Sequence, residues 1–103
     1  MKVQLLYFDG CPHWTVMDER IRQALALADR SDTIERVLVE TPDAADELQF
    51  AGSPSIRLNG RDPFPMPSGG FGLTCRVYAT RAGPAGAPTV EQLLAAIREA
   101  AAD

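Results

Sequence analysis

The chain has 103 residues, 46% of them hydrophobic and 23% charged, enough for one hydrophobic core and too few for two, so residues 1–103 read as a single domain. A formal net charge of -4 and a pI near 4.9 leave no basic field for a nucleic-acid backbone or an anionic membrane surface, so neither is an expected partner. No apolar run approaches the ~18 residues of a membrane helix. The opening stretch breaks at Asp9 without a cleavage pattern, so the expected compartment is the cytoplasm. Two cysteines far apart in such a chain read as reactive or buried thiols, not as a disulfide framework.

Val3 to Phe8 is a nearly continuous apolar run, the pattern of a strand buried on both faces. Pro12 occupies a favoured helix-start position, and Met17, Ile21, Leu25 and Ala28 recur at helical spacing, predicting a helix from Pro12 to Asp29. Thr33 to Val39, rich in β-branched residues, reads as a second strand parallel to the first, since a whole helix separates them. Thr41-Pro42-Asp43 starts a short helix through Leu48, with Gly52 as its stop. Ser55 to Leu58 is a third strand with the hairpin pair Asn59-Gly60 behind it. Arg61 to Gly72, rich in proline and glycine, reads as a surface loop before a fourth strand at Leu73 to Thr80. After a turn at Gly83 to Pro88, Thr89 and Gln92 have capping-box spacing ahead of an amphipathic helix carrying Leu93, Leu94 and Ile97. The expected class is α/β, ordered β-α-β-α-β-β-α, with a four-stranded mixed sheet and flanking helices.

Cys11-Pro12-His13-Trp14 after the first strand and Gly52-Ser53-Pro54 before the third make the whole chain resemble the thioredoxin-like superfamily. The resemblance implies that Cys11 is the reactive cysteine and that Pro54 follows a cis peptide bond beside its sulfur; Pro12, His13, Trp14, Ser53 and Pro54 are the expected substrate-binding residues around them, with Trp14 as a shield or packing residue. Cys-Pro-His is similar to the opening of the motif in bacterial periplasmic disulfide oxidases. The family's resolving cysteine, three residues after the first, is replaced here by Trp14, which closes ordinary exchange through that motif. Tyr7 to Pro12 and Gly72-Leu73-Thr74-Cys75-Arg76 are also similar to small actinobacterial-type proteins labelled thioredoxin-family or alkylmercury lyase.

A thiol at a helix N-terminus faces unpaired amides and the positive end of the helix dipole, which favour the thiolate, and His13, the single histidine, can add charge nearby. The alternative is a buried cap whose sulfur never meets solvent. Alternation in the fourth strand puts Leu73, Cys75, Val77 and Ala79 on one apolar face, which makes Cys75 a core residue. The family layout also has this strand ending, not beginning, on the Cys11 side, leaving the cysteines ~10 Å or more apart at ~3.3 Å per residue. If the long loop carries the strand start elsewhere, Cys75 becomes a resolving thiol or a second soft-metal ligand.

These residues give three expectations. The first is a thiol-dependent redox protein acting on a protein or glutathione-like thiol or disulfide, with Cys11 and Cys75 as catalytic candidates and without a cofactor or structural metal. The second is a protein binding a soft metal or organomercurial through thiolates. The third is a non-enzymatic interaction domain presenting Trp14, Phe64 and Phe71.

Overall fold

The computed structural model describes residues 1–64 and 71–102. Its elements are β1 Val3–Tyr7, α1 Trp14–Leu27, β2 Ile34–Leu38, α2 Pro42–Glu47, β3 Ser55–Leu58, β4 Tyr78–Thr80, β5 Gly83–Ala85 and α3 Val90–Ala102. β1 is central in a three-stranded mixed sheet ordered β2-β1-β3. It runs parallel to β2, with Val3 opposite Ile34 and Tyr7 opposite Leu38, and antiparallel to β3, with Val3 opposite Leu58.

The apolar run of β1 serves two cores because successive side chains point to opposite faces. Val3 and Leu5 join a cluster with Met17, Ile21, Leu25, Leu93 and Ile97 of α1 and α3. Leu6 joins Val39, Ala45 and Phe50 on the α2 side. Ile21, Leu93 and Ile97 are fully buried, each stabilising the fold by about 1.5–3 kcal/mol relative to exposure. Local signals hold well at the helix starts. The Thr41 hydroxyl accepts from the Ala44 amide at 3.0 Å, and Thr89 and Gln92 cap each other reciprocally at 2.8 and 3.1 Å. Among the described residues no helix is long and apolar enough to cross a membrane.

Among the described residues the expected four-stranded sheet does not form. Asn59-Gly60 makes its turn, with both residues at positive φ, but the return pairing ends at a single bridge between Leu58 and Arg61. Only Tyr78–Thr80 of the predicted fourth strand is extended in a ladder, and it pairs with Gly83–Ala85 in a separate two-stranded sheet. Over residues 75–79 the alternation has the expected period and the opposite phase, while Leu73 is half-buried against the Leu6 cluster and Thr74 is exposed. Arg76 and Tyr78 are buried, while Cys75, Val77 and Ala79 face outward. The reason is a set of polar partners inside. Arg76 Nη1 donates to Asp62 Oδ2 at 2.5 Å and to Ser55 Oγ at 3.1 Å, Nη2 donates to the Phe64 carbonyl, and the guanidinium lies 4.6 Å from the centre of the Tyr78 ring. A cation whose two terminal nitrogens are paired in this way can be buried, and its burial turns Cys75 out. Part of the predicted Arg61–Gly72 loop, residues 65–70, lies outside the described residues.

Candidate functional site

The site is built around Ser53, which is fully buried. Its hydroxyl accepts from the Phe8 amide at 3.3 Å, tying it to the end of β1. Its amide donates to the Thr74 carbonyl at 2.7 Å, and its carbonyl accepts from the Arg76 amide at 2.9 Å, so Cys75 lies beside it in a parallel bridge. The same carbonyl accepts the Cys11 thiol at 3.4 Å. One residue therefore holds the loop after β1 on one side and the Cys75 segment on the other.

Gly52 makes this approach possible. Its φ of +119° is open to glycine, and an added Cβ would lie 3.1 Å from Arg76 Cβ and 3.3 Å from the Thr74 carbonyl oxygen. The Ser53–Pro54 peptide bond is cis, and the Pro54 carbonyl accepts the Tyr78 hydroxyl at 2.5 Å. Burial raises the Tyr78 hydroxyl well above the ordinary phenol range, so it stays a donor.

Cys11 is completely buried and Cys75 is exposed, and both are free thiols. Adjacent strands stand ~5 Å apart, so the bridge to Ser53 brings Cys75 to the Cys11 side of the fold. The chain leaves the sheet after Arg61 and returns beside Ser53, so the start of the 73–80 segment, not its end, lies on the Cys11 side. Hydrogen bonding with the Cys11 side chain, then desolvation and the Cys11 charge, raise the Cys75 thiol above its ordinary value.

The helix does not begin where the sequence places it. Cys11 donates its amide to the Phe8 carbonyl at 3.2 Å in a turn, Thr15 Oγ1 bonds the Pro12 carbonyl, and the first helical bond runs from Met17 to His13. His13 is thus the N-cap, and Cys11 stands two residues ahead of it with its sulfur on a carbonyl rather than on helix amides. The His13 ring rests on the Gly86 backbone, where a Cβ would fall 2.6 Å from two ring atoms. Pro12 is exposed. Trp14 stacks on Tyr7 at 4.4 Å between ring centres, with Arg36 over its ring at 5.4 Å. Arg36 in turn binds the buried Asp18, which also meets Arg22. Burial pushes the Asp18 carboxyl up, but these two guanidinium groups outweigh it and hold the group below the usual carboxylate range. Of the three aromatics expected to share a surface patch, Trp14 and Phe64 pack against the core and only Phe71 is exposed.

Sequence reasoning missed Arg76, Asp62 and Tyr78 as supports of the site. No local signal marked Arg76 for burial, since alternation groups it with Thr74, Tyr78 and Thr80 on the more polar face of the run. Comparison with protein-family models, curated proteins and solved structures returns no match.

Proposed function

We propose that this chain is a thioredoxin-like thiol-disulfide exchange protein working through Cys11 and Cys75. The observation that carries this reading is the convergence of both cysteines on Ser53, close enough for one thiol to perturb the other. The β-α-β-α-β order and the placing of Cys11 against the Gly52–Pro54 loop support the resemblance, while the separate β4-β5 hairpin departs from the family layout. In the reaction a substrate disulfide gains two electrons and two protons and leaves as two thiols. The two cysteine sulfurs lose the same electrons and protons and become one S–S bond.

The test is equilibration in mixtures of reduced and oxidised glutathione, an acid quench, and thiol counting by mass. The expected result is a single transition from two free thiols to none without retained glutathione. A folded chain that keeps both thiols through every mixture ends this reading.

The same pair supports a second reading. Two thiols, with no group of three or more His, Cys, Asp or Glu side chains among the described residues arranged to share an ion, suit a two-coordinate thiophilic cation. Titration with mercuric ion should then protect both thiols from alkylation at one equivalent.

A further inference from the structure

We propose that Cys75, and not the Cys11 of the Cys-Pro-His segment, is the sulfur that first attacks substrate, and that Cys11 is the buried resolving thiol. This rests on the exchange reading above and assigns the order of its steps. Cys11 has no exposed surface, and its sulfur is turned to the Ser53 carbonyl, so a disulfide in solution has no path to it in this conformation. Cys75 faces solvent in an outward-turned segment with Thr74 and Val77, and Val77 is 60% exposed. The phase of that segment is set from inside by Arg76, whose guanidinium is locked to Asp62, Ser55 and Phe64, so the exposure of Cys75 is enforced by packing.

In the first step Cys75 gives its proton to solvent and its thiolate attacks one sulfur of the substrate disulfide. The substrate S–S bond breaks, a Cys75-substrate disulfide forms, and the departing thiolate takes up a proton. In the second step Cys11, deprotonated in turn, attacks Cys75 Sγ, breaking the mixed disulfide and releasing the second substrate thiol. The raised Cys75 thiol makes the first step climb with pH, since only the thiolate attacks.

The experiment exposes wild type, Cys11→Ser and Cys75→Ser to oxidised glutathione under native conditions and reads the products by intact mass and peptide mapping. Wild type should form the internal disulfide. Cys11→Ser should accumulate a stable glutathione adduct on Cys75, while Cys75→Ser stays unmodified over the same interval. An adduct on Cys11 of Cys75→Ser that forms as fast as the Cys75 adduct, or faster, overturns the order but leaves the dithiol reading standing. Wild type that forms neither disulfide nor adduct removes the dithiol reading and this order with it. Brief alkylation of folded wild type with limiting iodoacetamide gives an independent reading without any substitution. Label on Cys75 before Cys11 supports the order, and label on Cys11 first overturns it.

Discussion

Cys75 lies in parallel register beside Ser53, the residue whose carbonyl also accepts the Cys11 thiol. The two cysteines are therefore neighbours through a main-chain pairing, not through spacing along the chain. Because hydrogen bonding to Cys11 is the largest cause of the raised Cys75 thiol, removing that partner should lower it. In Cys11→Ala the pH midpoint for alkylating Cys75 should fall toward the ordinary thiol value of about 8.5, whereas wild type should need a higher pH. Peptide-resolved alkylation across pH measures this, and identical midpoints would show that the thiols do not interact.

Gly52→Ala should weaken the same pairing. The substitution puts a side chain at a φ of +119° and within 3.3 Å of both Arg76 Cβ and the Thr74 carbonyl. A loss of more than about 1 kcal/mol is expected in urea unfolding. Faster hydrogen exchange should appear at the Ser53 and Arg76 amides, the two that bond across the bridge.

Arg76→Ala should be among the most damaging single changes. It removes a cation that is buried and bound to Asp62, Ser55 and Phe64, leaving polar partners without a donor. The expected loss is about 3–5 kcal/mol, read as a shift of the urea midpoint. Nη1 and Nη2 together reach Ser55, Asp62 and Phe64, so Arg76→Lys, which lacks the fork, should recover only part of that loss.

Tyr78→Phe should cost about 1–3 kcal/mol at neutral pH by leaving the buried Pro54 carbonyl without its donor. The sign of the pH effect follows from the raised hydroxyl. Its contribution is complete below the unfolded-state value near 10 and is lost as pH rises above it, because only the unfolded chain then ionises. Wild type should lose stability more steeply than Tyr78→Phe above about pH 10 in urea titrations at stepped pH.

Features under short-range control were legible along the chain. The 3.6-residue spacing in α1, the caps at Thr41 and Thr89, the Asn59-Gly60 turn and the parallel pairing of β1 with β2 are each written within a few residues or one crossover. The candidate residues Cys11, Ser53, Pro54 and Cys75 were also legible, because thiols and a Gly-Ser-Pro loop have distinctive chemistry. The remaining features depend on contacts between distant segments. A period of two fits either face of a strand, and the phase over 75–79 was settled by the distant Asp62 and Ser55, which let Arg76 go inside and sent Cys75 out. The start of α1 moved because the Cys11 amide paired with the Phe8 carbonyl in a turn and the Pro12 carbonyl accepted the Thr15 hydroxyl. Whether Cys75 meets Cys11 depended on closing the long connection after Arg61, and loop closure of that length leaves no local mark in a sequence.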